Sequence, residues 1–176
     1  MVIRKAMKSD GAALDALLTK LIRDETRYDS NLSPEVVIKD NYAQRIEEEG
    51  SSAFVAEEDG NIVGYLYGFL YQIPGMMLRP VAIMDALYVE EAYRGQGIAR
   101  ELFQRFREFA EEGHADRIEL KVLSDNTKAM APYEALGFCE KKKYMELPLT
   151  AENDSDAGRL RNSAPERKLR GAAVFS

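Results

Sequence analysis

Cysteine, histidine and tryptophan are nearly missing from this 176-residue chain, which has one cysteine, one histidine and no tryptophan. The single cysteine, Cys139, excludes an internal disulfide, and the first ten residues show no secretory pattern. Both features favour a reducing, cytoplasmic compartment. The sequence has no Cys, His and Asp cluster at metal-ligand spacing, so no metal is expected.

Long apolar runs and an excess of positive charge are also missing. No stretch reaches the ~18 apolar residues that a membrane-spanning helix needs, so no membrane partner is expected. The net charge of −6 argues against binding nucleic acid, whose phosphates require a basic surface. The same charge mildly favours a cationic partner such as an amine, although it also serves solubility.

Hydrophobic periodicity divides the chain into a folded domain, residues 1–150, and a tail, residues 151–176, that is expected to be flexible. Within the domain, the patterns predict strands at 2–4, on both sides of Asp59-Gly60, and at 81–89, 117–123 and 141–149. Helices are predicted over 9–26, 33–50, 98–112 and 126–137. Three strands in succession exclude a pure βαβ repeat and indicate a mixed sheet with helices on both faces.

The stretch YRGQGIAR, residues 93–100, lies between a predicted strand and a predicted helix. Gly95 and Gly97 permit close approach, and the free N–H groups of a helix start bind phosphate. A Walker loop needs a lysine that is absent here, and a dinucleotide fingerprint needs a third glycine where the chain has Arg100. On spacing alone, a pyrophosphate site and a tight turn that needs glycine only for its geometry both remain open.

A second stretch, NTKAMAPYEALGF at residues 126–138, narrows this choice. It resembles the GNAT signature Asn-x-x-Ala-x-x-x-Tyr-x-x-x-Gly-Phe, and residues 94–99 resemble the acyl-CoA signature (Arg/Gln)-x-x-Gly-x-(Gly/Ala) of the same superfamily. The element order over 2–149 is similar too. The resemblance implies an α/β (α+β) fold, with a mixed, mostly antiparallel sheet of six to seven strands, splayed at the CoA site, and about four helices on both faces.

The resemblance also implies an N-acetyltransferase that passes an acetyl group from acetyl-CoA directly to a primary amine. The pantetheine arm is expected on the main chain of Leu87 and Val89, and the Val89 N–H is expected to hold the thioester oxygen. Asn126 is expected to contact the CoA arm. The pyrophosphate is expected at the turn formed by Arg94, Gly95, Gln96, Gly97, Ile98, Ala99 and Arg100.

Tyr133 is the expected general acid, since a tyrosine holds its proton at neutral pH and can give it to the departing thiolate. The alternative for Tyr133 is a packed helix aromatic. Asp85 is the candidate general base, because a charged residue on a central strand needs a reason. Three other carboxylates, those of Asp24, Glu25 and Glu57, are candidates for the acceptor site or are surface charges.

The acceptor is expected to be a small-molecule amine, with protein N-termini or lysines as the alternative. Two hypotheses from other classes remain open at this stage: a non-catalytic acyl-CoA sensor, and a nucleotide-binding protein that uses the same turn. A homodimer is common in proteins of this kind, and nothing in the sequence establishes one.

Overall fold

The computed structural model describes residues 1–147 and 149, and five strands in this part form one sheet. They are β1 (Val2–Lys5), β2 (Ser51–Glu58), β3 (Asn61–Tyr71), β4 (Val81–Val89) and β5 (Ile118–Leu120). Neighbouring strands pair antiparallel from β1 to β4, and β5 pairs parallel with β4. The prediction of a mixed, mostly antiparallel sheet is confirmed, and the described residues contribute five strands to it instead of six or seven.

The missing strand is the one predicted over 141–149. A compact unit runs from Met1 to Phe138, a second unit begins at Cys139, and its described residues carry no helix or strand. Tyr144, Met145 and Leu147 are 73%, 94% and 83% exposed. A strand is stabilised by burying one face, and these side chains bury none, so the prediction is wrong for the described residues. The predicted tail, 151–176, lies outside them.

In the described part of the chain, four α-helices accompany the sheet: α1 (Gly11–Glu25), α2 (Tyr42–Arg45), α3 (Ile98–Glu112) and α4 (Thr127–Ala135). Three confirm their predictions, but the helix predicted over 33–50 is reduced to the four residues of α2. The N–H of Ile38 donates to the Thr19 hydroxyl at 3.0 Å, and the N–H of Tyr42 donates to Asp15 at 3.0 Å. Because α1 side chains satisfy these donors, the segment before α2 does not need helical hydrogen bonds.

The sheet has a separate apolar cluster on each face. Tyr65 and Tyr67 of β3 pack with Leu14 of α1, whereas Leu66, between them, packs with Phe106 of α3. This alternation follows from the period of two along a strand. Helices therefore cover both faces, as predicted. Among the described residues no helix is both long and apolar enough to cross a membrane.

The sheet opens between β4 and β5. β5 pairs only with the start of β4, from Ala82 to Met84, so β4 continues from Asp85 to Val89 with no described strand on that side. The pairing of β4 with β3 also shifts register beside Asp85, which is left outside the paired positions. A bulge of this kind re-aims side chains, and here it lies where the sheet opens.

Candidate functional site

The turn before α3 takes a backbone conformation that selects glycine. Gly95 and Gly97 have φ angles of +78° and +85°, which side-chain-bearing residues rarely adopt. A Cβ at either position would meet no atom within 4 Å, so conformation and not crowding requires glycine here. The N–H of Arg100 already donates to the Gly97 carbonyl at 3.0 Å. The N–H groups that precede it, at the start of α3, are left without helical partners.

The Arg94 side chain is engaged at the end of β4. Its Nε donates to the Val89 carbonyl at 2.9 Å, and its guanidinium lies over the Tyr88 ring, 5.3 Å from the centroid. It also lies 3.5 Å from the Asp24 carboxylate of α1. These contacts join the glycine turn to β4 and α1, and the prediction of Arg94 at the pyrophosphate stays a prediction.

A small cavity of about 50 Å³ lies beside the open edge of β4. It brings Asp85 and Tyr133, the two predicted catalytic residues, together with Leu87 and with Glu25 from the end of α1. Four separate elements contribute to its wall, which is lined by Leu21, Glu25, Met84, Asp85, Ala86, Leu87, Leu120, Lys121 and Tyr133. Glu25, Asp85 and Tyr133 thus share one cavity although they lie 48 to 108 positions apart in sequence.

Tyr133 is both a packed aromatic and a wall of this cavity. Its ring lies edge-on to Phe138, with the centroids 5.9 Å apart, so packing fixes its orientation. Burial raises the pKa of the Tyr133 hydroxyl, and the nearby charge of Glu25 raises it further. The helix α4 runs through Pro132 without a break. Asn126 directly precedes α4, and its N–H donates to the Leu123 carbonyl at 2.9 Å.

Asp85 has a partner that the sequence did not reveal. Its side chain is 43% exposed, and Oδ2 lies 3.5 Å from the Nη2 of Arg45 in α2. No local pattern indicates this pair, because Arg45 lies 40 residues earlier in a segment predicted to be a longer helix. The pair places a positive charge next to a predicted catalytic carboxylate.

Of the three alternative carboxylates, Glu25 is the one that reaches the cavity. Asp24 bonds to Arg27 and lies near Arg94. Glu57 of β2 accepts a hydrogen bond from Arg4 of β1 at 2.7 Å, toward the other edge of the sheet. Burial raises the pKa of the Glu25 carboxyl, and the neighbouring charges of Asp24 and Asp29 raise it further. In the described part of the chain, no arrangement of His, Cys, Asp and Glu side chains could hold a metal ion.

The raised pKa of Glu25 predicts a pH dependence of stability. The folded chain holds this proton more tightly than the unfolded chain, whose glutamate pKa is about 4.3, so ionising Glu25 costs stability as the pH rises. We expect the Glu25→Gln variant to gain melting temperature relative to wild type as the pH rises from about 4 to 7. The exposed Glu112→Gln variant is the control, and a difference that shrinks over this range would contradict the assignment.

An open central sheet, a glycine turn at a helix start and a cavity with a tyrosine and two carboxylates are the features that the resemblance to acyl-CoA-dependent acyltransferases implies. Residues 16–138 match the acetyltransferase (GNAT) family. The chain therefore belongs to the GNAT acetyltransferase family and is an acetyl-CoA-dependent acyltransferase. This confirms the family and the class of enzyme predicted from the two signatures.

Relatives of known name fall into more than one acceptor class. N-alpha-acetyltransferase 30 of Schizosaccharomyces pombe is 36% identical over 107 residues, which cover 61% of this chain and 68% of that protein. Thialysine N-epsilon-acetyltransferase of Bos taurus is 32% identical over 150 residues, which cover 78% of this chain and 83% of that protein. The first name specifies an α-amino group as the acceptor, and the second specifies the ε-amino group of thialysine.

Solved structures share the fold. A mutant of a Bacillus halodurans protein superimposes with a TM-score of 0.75 at 27% identity and covers 85% of this chain and all of its own. An aminoglycoside N-acetyltransferase in complex with CoA superimposes with a TM-score of 0.64, at 17% identity, over 85% of this chain and all of its own. At that identity the second likeness concerns the fold alone.

Proposed function

We propose that this protein transfers an acetyl group from acetyl-CoA directly to the primary amine of a small molecule. The observation that carries the proposal is the cavity in which Tyr133, Asp85 and Glu25 meet beside the open edge of β4. The bovine relative named for the acetylation of thialysine, which matches 78% of this chain, supports a small acceptor.

The donor fits the glycine turn and the open strand. The CoA pyrophosphate lies on the unpartnered N–H groups between Gln96 and Ala99, where the dipole of α3 adds ~0.3–1 kcal/mol per well-placed charge. The pantetheine arm extends along the open edge of β4 at Leu87 and Val89, in the manner of an added strand. Asn126, which directly precedes α4, contacts this arm.

The acceptor approaches from the end of α1. A helix C-terminus carries partial negative charge and favours cations, and the carboxylates of Asp24, Glu25 and Asp29 lie in or just beyond the last turn of α1. Glu25 and Asp85 line the cavity itself. With these two carboxylates against one cation, Lys121, the cavity wall suits an alkyl amine, which is a cation at neutral pH because its pKa is about 10.4.

The reaction needs no enzyme nucleophile, since a neutral amine attacks a thioester carbonyl directly. The ammonium first gives one proton to Asp85, directly or through water, and the neutral amine then attacks, so that the N–C bond forms and the C–S bond breaks. The thiolate leaves with an ordinary thiol pKa of about 8.5 and takes a proton from the Tyr133 hydroxyl. The second proton that the nitrogen loses as it becomes an amide returns to Tyr133 through water. Because burial raises the pKa of Tyr133, this hydroxyl is protonated throughout the neutral range.

Acceptor screening tests the proposal. The full chain is incubated with acetyl-CoA and with polyamines, amino acids, aminoglycosides, or peptides that carry a free N-terminus or a lysine, and released thiol is measured. Small amines are expected to release CoA and to appear as acetylated products. Release with peptides alone would instead favour a protein acetyltransferase, as the fission-yeast relative is named. Binding of CoA without release would indicate a sensor and overturn the proposal.

A further inference from the structure

Arg45 has a fixed place because α2 is held by α1. The buried carboxylate of Asp15 accepts the N–H groups of Asn41 and Tyr42 at 3.1 and 3.0 Å. Tyr42, the first residue of α2, is fully buried, and its hydroxyl lies 3.3 Å from that of Tyr65. These contacts hold the backbone at the start of α2 and the side chain of its first residue. Arg45, the last residue of this four-residue helix, therefore extends from a fixed backbone.

Two buried aromatic rings set the orientation of the Arg45 guanidinium. Its central carbon lies 4.6 Å from the ring centroid of Tyr67 and 5.8 Å from that of Tyr42. Both rings belong to the apolar cluster between α1 and the sheet. A guanidinium over a ring face is attracted by the ring quadrupole. A lysine ammonium is a compact point charge and does not offer the same rigid fork of donors.

The oriented guanidinium then reaches Asp85. Nη2 of Arg45 lies 3.5 Å from Oδ2 of Asp85, and the Asp85 side chain also lines the cavity that contains Tyr133. An ion pair this exposed contributes little to folding stability. Asp85 occupies the bulge of β4, where no strand partner restrains it, so the contact with Arg45 restricts the directions its carboxylate can take.

We propose that Arg45 is a positioning residue that holds the Asp85 carboxylate in place for the acceptor amine. The inference rests on the proposed function, in which Asp85 receives the proton of the amine. Arg45 does not line the cavity and takes no part in binding CoA. Its loss therefore affects steps that involve the acceptor and leaves steps that involve the donor unchanged.

A double-mutant cycle tests this role in the full-length protein, with a small amine that the wild type acetylates. Arg45→Gln is expected to lower kcat/KM for the amine about tenfold and to leave KM for acetyl-CoA within about twofold. In an Asp85→Asn background, the same change is expected to have almost no further effect. Arg45→Lys, which keeps the charge without the fork of donors, is expected to recover part of the loss.

Arg105→Gln is the matched control, because Arg105 is an exposed arginine that pairs with Glu108 on α3. It is expected to leave all constants unchanged. Equal losses from Arg45→Gln with and without Asp85, or an equal rise in KM for acetyl-CoA, would overturn the inference while the proposed function stands. A wild-type chain that acetylates no amine would overturn the proposed function, and the inference with it.

Discussion

Replacing Tyr133 with phenylalanine is expected to lower kcat by about 10²–10³-fold and to leave KM for acetyl-CoA within about twofold. Phenylalanine keeps the ring that packs against Phe138, so the fold and the shape of the cavity persist. The variant loses only the hydroxyl that protonates the departing thiolate. The loss therefore falls on the chemical step and not on binding.

Steady-state release of CoA thiol measures this effect, and calorimetric titration with CoA checks that binding is intact. Tyr71→Phe provides the control, since Tyr71 is half-exposed at the end of β3, outside the residues that line the cavity. Unchanged turnover in Tyr133→Phe would remove Tyr133 as the acid and leave its role as packing alone.

Replacing Gly97 with valine is expected to weaken CoA binding by about tenfold to a hundredfold. A β-branched residue at a φ of +85° carries strain of ~1–3 kcal/mol, and relieving it moves the N–H groups that begin α3. In affinity, 1.4 kcal/mol corresponds to a factor of about ten. The core is expected to stay intact, because a Cβ at Gly97 would contact nothing within 4 Å.

The chain offers a closely matched control at Gly75, in the loop between β3 and β4. Gly75 has a φ of +79°, and a Cβ there would also meet nothing within 4 Å. Gly75→Val thus introduces the same kind of strain away from the glycine turn. Titration calorimetry with CoA should show a loss for Gly97→Val alone, and normal affinity in that variant would contradict the pyrophosphate assignment.

Local patterns predicted those parts of the fold that local interactions determine. α3 has an apolar stripe at helical spacing that includes Leu102 and Phe106, and the structure buries this stripe against the sheet. The β2–β3 hairpin turns at Asp59 and Gly60, whose φ angles of +50° and +78° fit a two-residue turn. In both places, sequence spacing alone contains the information that decides the structure.

The two wrong predictions of secondary structure concern segments whose conformation depends on residues distant in sequence. The segment over 33–41 contains helix signals, yet the side chains of Asp15 and Thr19 in α1 take up its backbone donors. The strand predicted over 141–149 has a suitable pattern but buries none of its apolar side chains among the described residues. Whether the apolar side chains of a segment become buried, and which groups accept its backbone N–H donors, depends on the assembled fold.

The candidate site divides in the same way. The two signatures contain the glycine turn and Tyr133, and the charge of Asp85 on a central strand drew attention to it from sequence alone. The contacts of Arg45 with Asp85, and of Arg94 with Asp24, join positions 40 and 70 residues apart. The sequence also could not indicate which of Asp24, Glu25 and Glu57 lines the cavity, because that depends on where the end of α1 lies relative to β4.

The position of bound CoA tests the central claim most directly, namely that the glycine turn and the cavity at Tyr133 form one acetyl-transfer site. In a crystal structure of the complex, the pyrophosphate should lie on the turn at Gly95 and Gly97. The sulfur should lie within hydrogen-bond reach of the Tyr133 hydroxyl. A sulfur placed away from this cavity, or a pyrophosphate bound elsewhere on the chain, would contradict the account.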